Sequence, residues 1–140
     1  MYDLIIVPTD GSDAADDAVD HATAQGLAHD AELLFLAVVE MSGGALPEAR
    51  DDLAVEERRA ARQEAVESLA ADAEAAGVGA TGTVEVGVPS RVILESAVER
   101  GGDLIVMSTH ARSGVGRFLY GSVTERVIRD GDTPVLAIQR

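Results

Sequence analysis

The chain of 140 residues contains no cysteine, no lysine and no tryptophan, and its only histidines are at positions 21, 29 and 110. Lack of cysteine excludes a disulfide framework, zinc-thiolate sites and thiol catalysis. Three separated histidines leave a histidine-based metal site little to draw on. Lack of lysine excludes the GxxxxGK[ST] phosphate loop. The opening MYDLIIVPTD has neither a basic leader nor a long apolar segment, so secretion and membrane spanning are not expected and a cytoplasmic location is the default. Basic charge is also scarce: 11 arginines face 25 carboxylates, for a net charge of -14. Such a surface repels nucleic acid and anionic membranes, and neither is expected as a partner. Arginine without lysine, with abundant Asp, Glu and Ala, fits either a halophilic organism, whose high-salt cytoplasm screens carboxylate repulsion, or an acidic mesophilic protein.

What the chain does have is an alternation of apolar runs with helical stretches. Residues 4–7 (LIIV), 31–39 (AELLFLAVV) and 104–107 (LIVM) are almost continuously apolar, the pattern of strands covered on both faces. Residues 80–86 (ATGTVEV) are less hydrophobic and read as a strand nearer an edge. Residues 135–138 (VLAI), behind Pro134, read as a terminal strand whose apolar edge invites pairing with a second subunit.

Four helices are expected between these strands. The first, capped by Ser12 or Asp13, turns Ala15, Val19, Ala22 and Leu27 inward, with the methyl of Thr23 at the edge of that stripe. Gly26 inside it costs about 1 kcal/mol relative to alanine, which signals close packing. The second, residues 50–76, is alanine-rich, and its arginines read as solvated. The third starts at Pro89 and turns Ile93, Leu94, Ala97 and Val98 inward. The last runs from about Gly121 to Asp130. Five strands alternating with four helices, without hairpin signals, predict an α/β fold with a parallel sheet, as one domain over residues 1–140. The most linker-like run, residues 40–49, lies beyond a strand end, where it could cover a ligand.

Residues 104–127 (LIVMSTHARSGVGRFLYGSVTERV) carry the densest chemical signal. A buried strand enters a loop rich in glycine and hydroxyls, and then a helix with Ser122 as its expected cap. Free amides at a helix start, glycines that let backbone approach, and the hydroxyls of Ser108, Thr109, Ser113 and Ser122 suit a phosphate chain. Residues 104–124 hold no carboxylate, whereas His110, Arg112 and Arg117 lie among them. That gap marks either a surface attractive to an anion or a buried strand followed by an ordinary loop. Asp10, beyond the first strand, either accepts hydrogen bonds from sugar hydroxyls or organises its turn.

These motifs together resemble the universal stress protein family across essentially the whole chain. They are VPTDGS at 7–12, GVP at 87–89, DLIVM at 103–107, and the end of the chain from Thr109 through Pro134 and Val135. The resemblance implies a five-stranded parallel sheet of order 3-2-1-4-5, doubly wound with helices on both faces, and a homodimer formed through residues 135–138. Many members bind ATP and another branch does not. The binding branch is associated with a glycine, two residues, a second glycine, nine residues and then Gly-Ser or Gly-Thr.

Carried onto this sequence, the pattern ends correctly at Gly121 and Ser122, but Ser108 and Ala111 stand where the first two glycines fall. If either position requires positive φ, a side chain there costs on the order of 1 kcal/mol. The resemblance implies ribose at Asp10 beside Pro8 and Thr9, adenine at the backbone of Val39, and phosphates at Gly121, Ser122 and Val123. Ser108, His110, Ala111, Arg112, Gly114 and Arg117 complete the nucleotide-binding set. His110 either touches phosphate or water or serves as a structural hydrogen-bonding group. The expected ligand is ATP or AMP, which a magnesium ion could accompany, with at most slow hydrolysis. The alternative is a nucleotide-free dimeric stress protein acting through protein contacts.

Overall fold

The computed structural model describes residues 1–10, 14–40, 49–109 and 114–139, except for the side chains of residues 14–16, 49–52 and 114–120. Five strands, β1 (Leu4–Pro8), β2 (Glu32–Glu40), β3 (Ala80–Gly87), β4 (Leu104–Ser108) and β5 (Val135–Ile138), alternate with four helices. The helices are α1 (Ala14–His29), α2 (Ala49–Ala75), α3 (Pro89–Arg100) and α4 (Gly114–Asp130). All strand pairs are parallel, and the sheet order is β3-β2-β1-β4-β5. The expected doubly wound α/β architecture is therefore present.

The continuous apolar runs are explained by the two-residue period of a strand, which divides each run between two separate cores. Ile5, Val7, Leu33, Phe35, Ala37, Leu104 and Val106 belong to one core, with Ala18 and Ala22 of α1 and Val66, Ala70 and Ala73 of α2. Ile6, Leu34, Leu36, Ile105 and Met107 belong to the other, with Ile93 and Ala97 of α3 and Val127 of α4. β3, the strand with two glycines and two threonines, lies at an edge as expected.

Two expected helix faces are corrected. Leu27 is 55% exposed and Val98 is 82% exposed, although both were placed inward from their spacing. In α1 the buried line runs through Ala18, Ala22 and Gly26, where an added Cβ would sit 2.7 Å from a Val78 methyl. Close approach of small residues, not the largest available side chain, sets the rotation of this helix. The Thr23 hydroxyl donates to the Val19 carbonyl, 2.9 Å away, satisfying it within the helix. In α3 the inward positions beside Ile93 and Ala97 are Ser90 and Ser96. The expected caps Ser12 and Asp13 lie outside the described residues, as do residues 41–48 of the linker-like run.

Asp103 ties the start of the sheet together. Its carboxylate accepts from the backbone amides of Asp3, at 2.8 Å, and Leu4, at 3.0 Å. The Asp3 and Leu4 amides, in that order, hold its pKa below the usual carboxylate range, because both bonds favour the charged form. The stabilisation is complete above the ordinary carboxylate range and is lost as pH falls through the depressed folded value. Asp103→Ala should therefore flatten the acid limb of the stability curve below about pH 5, as measured by denaturant unfolding across pH.

Candidate functional site

The chain steps from β1 to β2 to β3 in one direction, and then crosses to β4 on the far side of β1. The carboxyl ends of β1 and β4 therefore diverge into loops that leave on opposite sides, which opens a crevice at that point. A cavity of about 380 Å³ occupies it. Its walls come from Pro8, Thr9 and Asp10 after β1, Leu36 to Glu40 of β2 with Ala37 omitted, and Met107 and Ser108 of β4. Pro89 and Ile93 of α3 and Val123 of α4 form the apolar side, and Arg58 and Arg62 of α2 form the rim.

Backbone register exposes recognition groups here. The β1–β2 ladder ends at the pair Pro8–Leu36, and Thr9 donates to the Leu36 carbonyl at 2.9 Å. On its other side β2 remains paired with β3 as far as Glu40–Gly87. Residues 37–40 of β2 thus extend beyond β1, and their backbone edge on that side borders the crevice instead of a strand. Such an edge can recognise a planar heteroaromatic group through amide and carbonyl hydrogen bonds. On the β4 side, Thr109 closes the strand end, its amide donating to the Ile138 carbonyl at 3.0 Å. The Thr124 hydroxyl, buried in α4, reaches the Ser108 carbonyl at 3.5 Å.

Of the residues singled out in the sequence, Pro8, Thr9, Asp10, Val39, Ser108 and Val123 meet at this cavity. His110, Ala111, Arg112 and Ser113 lie outside the described residues, as does the side chain of Arg117, while Gly114 is described as the first residue of α4. The helix start is corrected. α4 begins at Gly114, so Gly121 and Ser122 lie inside it, and Ser122 is solvent-exposed and is not its cap. The run Arg117–Tyr120 contains only residues with adequate helix propensity, and no proline stops a helix from continuing through Gly121. Ser108 adopts no positive φ, since among the described residues only Asp30 does so without being glycine. Its side chain therefore carries no left-handed strain, and the cavity remains open with Ser108 in its wall.

The sequence reading missed the apolar floor and the rim. Leu36 and Val38 could have been found, since strand alternation puts them on one face. Arg62, read as solvated, donates from its guanidinium to the backbone carbonyl of Asp10. Arg58 lies one turn earlier on α2, at the same rim.

The universal stress protein family model matches residues 1–139. The chain belongs to that family. It is 37% identical over 142 residues to a universal stress protein of Methanocaldococcus jannaschii, covering 100% of this chain and 84% of that protein. It is 33% identical to a universal stress protein of Thermus aquaticus, covering 99% of this chain and 100% of the relative. Among solved structures, the universal stress protein UspA from Lactobacillus plantarum superposes with a TM-score of 0.87 at 26% identity, covering 98% of this chain and 97% of that one. A universal stress protein in complex with cAMP superposes with a TM-score of 0.75 at 29% identity, with coverage of 98% and 97%. In this universal stress protein the crevice lies at the switch of strand order, and Ser108, one of the two departures from the glycine pattern that the resemblance implies, stands in its wall; the other, Ala111, lies outside the described residues.

Proposed function

We propose that this universal stress protein binds an adenine nucleotide, AMP or ATP, in the crevice between the carboxyl ends of β1 and β4, and acts as a homodimer. The observation that carries this reading is the pairing of an apolar cavity of about 380 Å³ with the β2 backbone edge at Val38, Val39 and Glu40. A base is accommodated against Leu36, Val38, Ile93, Met107 and Val123, while the Asp10 carboxylate stands where sugar hydroxyls can donate to it. The cAMP-bound relative, similar over nearly the full length, supports the same ligand class.

A magnesium ion arriving with phosphates needs only one or two protein carboxylates, which Asp10 and Glu40 at the cavity can supply. Among the described residues no group of three or more potential metal-ligating side chains forms an independent metal site. Hydrolysis is at most slow, because the chain has no lysine to track a transferring phosphoryl group.

β5 supports the dimer. Both β3 and β5 are sheet edges, but β3 carries Glu85, 3.9 Å from Arg100, whereas β5 reads VLAI without a charge. An apolar edge without charged residues favours strand addition by a second copy. A second reading, a nucleotide-free dimer acting through protein contacts, draws on the same edge. Calorimetry on nucleotide-free protein at high salt separates the two: binding of AMP or ATP at millimolar ligand is expected, and a folded protein that binds neither overturns the nucleotide account. Light scattering on the same sample should give the mass of a dimer.

A further inference from the structure

The inward stripe of α2 changes character along its length. Val66, Ala70 and Ala73 are buried against the sheet, and Val66 meets β3 at Gly82. Arg62 and Arg58 precede Val66 by one and two turns on the same side of the helix, about 6 and 12 Å along its axis. α2 runs antiparallel to the strands, so those steps carry Arg62 and Arg58 toward the strand ends and the crevice. Val55, earlier still, packs at the margin of the core, so the two arginines line the cavity between apolar positions of the same helix.

Their charge is not balanced within the helix. A carboxylate three or four residues away is the usual partner of a helical arginine. Arg58 has Ala54, Val55, Ala61 and Arg62 at those positions; Arg62 has Arg58, Arg59, Ala65 and Val66. α2 nevertheless carries carboxylates at 51, 52, 56, 57, 64, 67, 72 and 74, none of them in register with this pair. Like charges at i and i+4 oppose helix formation. Among the described residues neither guanidinium forms an ion pair with a carboxylate, and Arg62 is held by the carbonyl of Asp10. The carboxylates that share the cavity, Asp10 and Glu40, are on the strand ends below. Two adjacent cations on the rim of an apolar cavity, in a chain of net charge -14, form a local site for an anion. The loop-to-helix junction expected to bind phosphate does not fall at Gly121 and Ser122, which lie within α4.

Building on the nucleotide reading, we propose that Arg58 and Arg62 of α2 are the specificity-determining residues that recognise the ligand's phosphate, selecting a nucleotide over the corresponding nucleoside. Guanidinium groups contact phosphate oxygens through paired N–H donors, and the bond from Arg62 to the Asp10 carbonyl pre-orients one of them.

The test is calorimetric titration of the full chain with AMP and with adenosine. The native protein is expected to bind AMP at least about tenfold more tightly than adenosine. Arg58→Gln should remove most of that preference by weakening AMP binding while adenosine affinity stays unchanged, and Arg58→Lys should restore part of it. Arg58 is exposed, so circular dichroism of the variant is expected to match the native spectrum. Arg62→Gln should act in the same direction. A native AMP-to-adenosine ratio that survives both glutamine substitutions, or equal losses for the two ligands, overturns the proposal and leaves nucleotide binding intact. No binding of AMP or adenosine by the native protein overturns both.

Discussion

Val123→Trp is expected to reduce AMP affinity by a factor of about one hundred or more, while the thermal midpoint stays within a few degrees of the native value. Val123 is partly buried at the margin of the core shared by α3, α4 and the sheet, and its side chain also lines the cavity. An indole at this position can extend into the cavity, which Met107 and Ile93 also line and where the base is proposed to lie. A hundredfold loss corresponds to about 2.7 kcal/mol, comparable to removing the apolar contacts of one well-buried ring. Calorimetry with AMP measures the loss, and a melting curve followed by circular dichroism shows whether the fold is retained. Unchanged affinity in a folded variant would place the nucleotide elsewhere.

The substitution with the largest expected effect on stability is Gly82→Val. Gly82 lies on β3, paired with Phe35 of β2, and α2 crosses it so closely that an added Cβ would be 2.8 Å from the Val66 carbonyl carbon and side chain. Backbone is one of the clashing groups, so no change of rotamer can relieve the contact. Overpacking at a helix–sheet contact costs about 1 to 3 kcal/mol, and a branched side chain against backbone is expected at or above the top of that range. That is a substantial share of a typical domain stability of about 5 to 15 kcal/mol. Guanidinium unfolding should show the midpoint moving down with little change in slope. Gly82→Ala should be milder, and combining it with Val66→Ala should recover part of the loss, since the two positions touch. A Gly82→Val protein as stable as the native chain would show that α2 does not press on β3.

The strands were legible in the sequence, and the contacts of the helices were not. Strands β1, β2 and β4 were readable because a run such as LIIV can be buried on both faces only in the middle of a covered sheet. Pro89 was readable because its fixed φ is a local constraint that suits a first helical turn, and Gly26 because a glycine inside a helix is costly unless close packing requires it, which Val78 here does. Leu27 and Val98 were misplaced because spacing gives the period of a helix but not its rotation about its own axis, which here follows Ala18, Ala22 and Gly26 in α1. Ser122 was misplaced as a cap because a glycine–serine pair is compatible with both a helix start and a helix interior. Arg58 and Arg62 were read as solvated because the overhang of α2 beyond the strand ends is a property of packed lengths, not of local composition.

The sequence alone determined the alternation of elements, the covered sheet and the membership of the chain in its family, because local periodicity and short motifs encode them directly. The tertiary structure decided which side chains surround the crevice and which helix brings the positive charge. Those relations join residues as distant as Asp10 and Arg62, and only the packing of α2 over the strand ends brings them together.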